Sequence, residues 1–197
     1  MVPKVRGTEL IEAVQAALAQ LGYPEIPVLA LVEHPAVLAC QADLLGIARA
    51  PGVRALALGT EDFTVTLRGV PNAAALLLPC QMLVMAARAA GRQAFAVPGS
   101  IAALADRDGW RLAARTAREI GADGGLCIHP EQALALNAAF SPTEREVGWA
   151  HRVEAAYQEA CRLGRGVTTV DGEMVDAPVV ERARAILALL ENQDPAS

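Results

Sequence analysis

Two kinds of run alternate along the first 140 residues. Short, nearly continuous apolar stretches stand at VPKV (2–5), IPVLALV (26–32), VRALALG (53–59), QAFAV (93–97) and GLCI (125–128). Runs of this kind are the mark of parallel strands covered on both faces. Longer stretches with helical spacing lie between them. Helices are predicted over 8–21, with Thr8 as N-cap and Gly22 beyond the end, over 36–49, over 73–90 before Gly91, over 108–121 and over 130–140. Residues 60–72 read as an acidic turn and a loop through Pro71. Five strands, each followed by a helix, predict an α/β fold with a parallel sheet or barrel.

The pattern changes after SPT (141–143). A long, charge-rich amphipathic helix is predicted over 143–163, with Ser141 or Thr143 near its start and Gly164 after it. An extended, glycine-bearing segment, GRGVTTVDGEMVDAPVV, follows, and then a final helix over 179–191. Residues 141–197 therefore read as a helical extension of a domain spanning 1–140, packing on its own barrel or on a neighbour's.

Composition narrows the class. Hydrophobic residues make up 53% and charged residues 20%, which argues against disorder. The formal charge of -5 argues against a nucleic-acid partner, because phosphate binding usually shows as a basic face. No apolar run reaches the roughly 18–20 residues of a membrane span. The opening MVPKVRG lacks the regions of a signal peptide, so a cytoplasmic location is expected. The cysteines at 40, 80, 127 and 161 form no CxxC pair. They are expected to be small buried side chains, and neither a disulfide nor zinc is assigned to them.

Two strands end in acid: LALVE at Glu33, and LALGTED at Glu61 and Asp62. Ligands of parallel α/β folds bind at the carboxyl ends of strands. Neighbouring strand ends lie roughly 5 Å apart, so Glu33 and Asp62 can converge. Two converging carboxylates repel unless a proton or a cation separates them, and Mg²⁺ suits one or two carboxylates completed by substrate and water. The alternative makes Asp62 a helix cap and Glu33 a solvated loop residue. Glu61 reads first as a cap or an outward-pointing side chain. His129 reads first as a hydrogen-bonded structural group before Pro130, and second as a substrate contact. His34 is either a neighbour supporting Glu33 or a loop residue, and His151 is a solvated helix residue. The arginines along 145–165 form a solvated face or steer the phosphates of a ligand. GRG (164–166) is a helix stop before it is a phosphate loop.

Further motifs carry a family resemblance. VPKV, LALVE, LALGTEDF, AARAAG (86–91), GADGGLCIHPEQ (121–132), AFSPTEREV (139–147) and DGEMVDAPVVERARAIL (171–187) follow one another in order along the chain. In this the sequence resembles the citrate lyase beta subunit family of the HpcH/HpaI aldolase group. The resemblance implies a TIM-type barrel, Mg²⁺ held by Glu33 and Asp62, and Asp176 of MVDAP reaching a neighbouring protomer's site for acid/base chemistry. It implies carbon–carbon cleavage or formation on a CoA thioester such as citryl-, malyl- or citramalyl-CoA, with an acyl-CoA or keto acid as small-molecule partner. Set against that family, the chain begins at the fourth strand and supplies five of eight βα units. The substrate-carboxylate arginine of an earlier strand has no counterpart. Arg6 stands where an acid is common, His34 follows the metal-binding Glu where Thr is common, and LLLPCQM (76–82) lacks an arginine. Five strands do not close an eight-strand barrel, so a homo-oligomer is expected. Two other readings remain open at this point: a truncated, non-catalytic binding or scaffold subunit, and a thioester hydrolase using the same metal site.

Overall fold

A computed structural model describes residues 1–191. The chain divides into two compact units, Met1–Phe140 and a second from Ser141 onward.

The first unit is built around three parallel strands, β1 (Val28–Val32), β2 (Val53–Leu58) and β3 (Gln93–Phe95), in the order β1-β2-β3. Their side chains are apolar on both faces because helices cover both: Ala30, Val32, Leu56 and Ala57 are fully buried. Seven helices belong to this unit: α1 (Glu9–Gln20), α2 (Pro35–Ala39), α3 (Gln41–Arg49), α4 (Thr60–Leu67), α5 (Ala73–Ala89), α6 (Arg107–Glu119) and α7 (Pro130–Phe140). Ile11, Leu44, Ile47, Leu76 and Leu83 turn inward from α1, α3 and α5 to complete the core.

Five regular strands were expected, and three form. The VPKV segment makes a single bridge, Val2 to Ala30, and at the GLCI segment only the preceding residue, Gly124, bridges to Phe95. Each lies at one edge of the sheet, where hydrogen bonds run to one side only. Lys4, at φ 55°, further breaks the extended path of the first. The single helix expected over 36–49 is two, parted at Cys40, whose backbone is extended (φ -112°, ψ 98°). The loop expected over 60–72 contains α4, which ends where Arg68 turns left-handed at φ 57°. Thr8 sits at the start of α1 without a side-chain cap bond. Asn72 and Asp106 cap α5 and α6 by accepting from the backbone N–H of Ala75 and Gly109. Only Cys80 is fully buried, and burial pushes its thiol up to about 12. Cys127 and Cys161 are exposed, contrary to expectation.

The second unit pairs two helices, α8 (Glu144–Arg162) and α9 (Ala177–Glu191), with a hairpin of β4 (Thr168–Val170) and β5 (Glu173–Val175). Thr143 and Glu146 form a reciprocal capping box at the start of α8. Asp171 and Gly172, both at positive φ, make the two-residue hairpin turn within the segment read as merely extended. Ala150, Val153, Val170, Val175, Val180 and Ala183 form a core of its own. Arg184 joins the helices: its Nε and Nη2 donate to both oxygens of Glu154 at 3.0 Å.

Candidate metal centre

Val32 of β1 pairs with Leu58 of β2, and the Gly59 N–H extends the ladder one step by donating to the Val32 carbonyl at 2.8 Å. Glu33 and Gly59 therefore leave the sheet side by side. A β-carbon on Gly59 would stand 2.4 Å from Cγ of Glu33 and 3.0 Å from its Oε1, so the bare α-carbon makes room for the carboxylate. On its other side Glu33 is held from the chain's first segment. Val2 exchanges hydrogen bonds with Leu29 and Leu31, and Val5 donates to Leu31. Lys4 between them turns left-handed, so its N–H leaves the ladder and donates to Oε2 of Glu33 at 2.6 Å.

The chain enters α4 directly after Gly59, which carries Thr60, Glu61 and Asp62 on its first turn. Acidic side chains there face the positive end of the helix dipole. Asp62 Oδ2 lies 3.7 Å from Nζ of Lys4. Glu61, expected to cap or to point outward, instead turns to the cavity, where its Oε1 accepts from the Ser100 hydroxyl at 2.7 Å. The Thr60 hydroxyl is buried and has no hydrogen-bond partner.

These groups border a cavity of about 300 Å³ at the carboxyl ends of the strands. Glu33, Thr60, Glu61 and Asp62 form its polar side, while Leu31, Phe95, Val97, Ile101 and Ile128 supply apolar wall. Gln132, 5% exposed on α7, fixes part of that wall. Its Oε1 accepts from the Ile128 N–H at 3.0 Å and its Nε2 donates to the Ile101 carbonyl at 2.9 Å. The Trp110 indole N–H in turn donates to the Gln132 carbonyl at 3.2 Å.

Of the residues singled out in the sequence, Glu33 and Asp62 share this cavity, and both touch Lys4. Asp176 belongs to the second unit, at the start of α9, where its Oδ1 accepts from the Val179 N–H at 3.4 Å. His34 and His129 each accept at Nδ1 from a backbone N–H two residues on, Ala36 and Glu131 respectively. His151 is exposed on α8. Arg152 and Arg162 are paired with Asp171 and Glu159. Gly164, at φ 71°, stops α8. Lys4, Gly59, Thr60, Ser100 and Gln132 were not singled out in the sequence. For Gly59 and Thr60 the signal was at hand, since both lie between the apolar run and the paired acids.

Among the described residues, no group of three or more His, Cys, Asp and Glu side chains is placed to hold a metal ion. Two carboxylates on one open cavity are nonetheless a fitting donor set for Mg²⁺, which keeps several positions for water and substrate. The space beside Glu33 left by Gly59 and the unpartnered Thr60 hydroxyl agree with a polar occupant.

A family model described as HpcH/HpaI aldolase/citrate lyase matches residues 1–130. A (3S)-malyl-CoA thioesterase of Cereibacter sphaeroides is 34% identical over 193 residues, 97% of this chain and 64% of the relative. The citrate lyase subunit beta of Escherichia coli K12 is 38% identical over 138 residues, 69% of this chain and 45% of the relative. The crystal structure of the protein CitE from Mycobacterium tuberculosis in complex with magnesium, acetoacetate and coenzyme A matches with a TM-score of 0.74. It is 30% identical, over 97% of this chain and 67% of that one. The chain thus spans less than two thirds of the length of these curated relatives.

Proposed function

The chain belongs to the HpcH/HpaI aldolase/citrate lyase family, and from that premise we propose that it is a Mg²⁺-dependent carbon–carbon lyase of the citrate lyase beta type. Its substrate is the CoA thioester of a hydroxy acid, of the citryl-, malyl- or citramalyl-CoA kind. The observation that carries this reading is the meeting of Glu33 and Asp62 on one cavity at the strand ends. Magnesium in the matched M. tuberculosis complex supports the choice of ion.

Glu33 and Asp62 hold the ion, with Glu33 kept in place by the Lys4 N–H and the space above Gly59. When bound, Mg²⁺ supplies a positive centre for the keto acid oxygens and steadies charge developing beside the thioester carbonyl. The Thr60 hydroxyl and the first-turn N–H groups of α4 offer donors to a substrate carboxylate. The apolar wall fixed by Gln132 excludes water from the acyl chain. Cleavage requires that the hydroxyl proton leave and that the new acetyl carbon gain one. Asp176, brought from a neighbouring protomer, is the proton carrier; its single bond to Val179 is long and readily given up.

One observation favours a second reading. The (3S)-malyl-CoA thioesterase of Cereibacter sphaeroides matches 97% of the chain, whereas the citrate lyase subunit beta of Escherichia coli matches 69%. Hydrolysis would use the same ion and cavity, with water attacking the thioester carbonyl. Purified protein incubated with malyl-CoA and Mg²⁺ separates the two. A lyase yields acetyl-CoA and glyoxylate, trapped as a hydrazone, whereas a hydrolase yields malate and free CoA thiol. Calorimetry with Mg²⁺ and oxaloacetate is expected to show binding that disappears in Glu33→Ala and in Asp62→Ala. Binding undiminished by both substitutions overturns the assignment of these ligands, and no metal-dependent binding at all points to a scaffold subunit.

A further inference from the structure

Lys4 is the only lysine in the chain; the other members of its 17 Lys and Arg residues are all arginine. It contacts two of the three acids that line the cavity, Glu33 through its N–H and Asp62 through its ammonium, the third being Glu61. Among the described residues no other cation forms an ion pair with any of these three carboxylates. Its backbone is left-handed at φ 55°, a conformation that a lysine holds only where its surroundings impose it. Here the surroundings are the bonds of Val2 and Val5 to β1 on either side, and the Lys4 N–H on Glu33. The main chain thus anchors the root of the side chain beside one acid, and its tip reaches the next.

That tip is loosely held. Nζ lies 3.7 Å from Asp62 Oδ2, with the two side chains 75% and 56% exposed. A pair so open to solvent is weak and exchanges partners readily. An ammonium is a compact charge on a flexible four-carbon stem with three donors, so it can follow a moving anion where a guanidinium fork suits one fixed partner.

We propose that Lys4 is a shared counter-ion of this site: its ammonium neutralises Asp62 before a divalent cation binds, and turns to the carboxylate of the keto acid substrate once Asp62 is engaged. This rests on the reading of Glu33 and Asp62 as metal ligands. Two effects of opposite sign follow. Removing the ammonium removes a competitor for Asp62 and strengthens cation binding, yet it removes a partner of the substrate and weakens keto acid binding.

The test uses the full chain with Mn²⁺ as a spectroscopic substitute for Mg²⁺ and oxaloacetate as the anionic probe. In Lys4→Met, Mn²⁺ alone, followed by electron paramagnetic resonance, is expected to bind severalfold tighter. Oxaloacetate is expected to bind the Mn²⁺-loaded variant about tenfold more weakly, with partial recovery in Lys4→Arg. Both affinities unchanged, or both weakened together, overturn the proposal. Should Lys4→Met fail to fold, the wild-type chain reductively methylated with ¹³C carries one dimethyl-lysine signal. That signal is expected to move on adding Mg²⁺ and to move again on adding oxaloacetate, and a signal indifferent to both overturns the proposal. A wild-type chain that binds no Mn²⁺ overturns the ligand reading of Glu33 and Asp62, and this inference with it. Binding in the wild type that Lys4→Met leaves untouched overturns only the role of Lys4.

Discussion

Gly59 is the smallest part of the site and among the most constrained. An alanine there would place its Cβ 2.4 Å from Cγ of Glu33, a separation that forces the carboxylate aside. The backbone of Gly59 lies in the extended region (φ -87°, ψ 91°), which alanine adopts freely, so the change acts through Glu33 and not through strain in its own backbone. Gly59→Ala is therefore expected to weaken Mg²⁺ affinity by about 10–100-fold, the range typical of groups that orient a metal ligand. Calorimetry measures the loss, and a nearly unchanged melting temperature shows that the fold persists. At this scale Glu33 and Asp62 were legible because each follows an apolar run that stops. Lys4 was not, because VPKV reads as strand and nothing in four residues announces a positive φ. Glu61 was misjudged because its partner, Ser100, lies 39 positions away.

Among the elements, α4 was hidden by its composition. TEDFTVTL carries Thr and Val, which favour helices weakly. The helix forms because its acids sit at the positive end and because Phe63 and Thr64 are buried, while the Thr64 and Thr66 hydroxyls are satisfied by bonding back to the carbonyls of Thr60 and Asp62. Gln132 performs a comparable task for the segment before α7. Gln132→Ala leaves the Ile128 N–H and the Ile101 carbonyl unpaired, and is expected to cost about 2–3 kcal/mol in urea unfolding. In the second unit the bond from Arg184 holds the Glu154 carboxyl below its usual range, with a further contribution from Gln158. A carboxyl depressed in the folded state stabilises that state above its unfolded pKa, and the contribution fades as pH falls through the folded value. Acidification below about pH 4 is thus expected to loosen the clasp between α8 and α9, and Glu154→Gln should flatten this part of the melting temperature's pH dependence. The helices at 73–90, 108–121 and 130–140 were legible from periodicity and their end signals. The break at Cys40 was not, since Ala-rich sequence continues across it.

For the whole molecule, the outer edges of the three-stranded sheet are only partly paired among the described residues, by Val2 and Val5 beside β1 and by Asp123 and Gly124 beside β3. Leu78 and Met85 of α5 are 63% and 59% exposed. Unpaired strand edges and bare apolar side chains favour association. We expect a homo-oligomer in which residues from 141 onward pack on a neighbouring protomer and present Asp176 to its cavity. Size-exclusion chromatography with light scattering should give a multiple of 20.6 kDa, and a clean monomer would count heavily against this arrangement. Mixing Asp62→Asn chains with Asp176→Asn chains tests the shared site directly. Mixed oligomers are expected to regain part of the activity that each variant lacks alone, because some cavities then combine intact Asp62 with an intact Asp176.

The sequence by itself determined the alternation of apolar runs and helices, the family, and the two acids at the strand ends, because each is written in local order along the chain. Tertiary structure alone decided which groups surround those acids. The Lys4 N–H reaches Glu33 across 29 positions and Gln132 reaches Ile101 across 31. Contacts of that span depend on how strands are registered and helices laid against them, and no neighbouring residues record it.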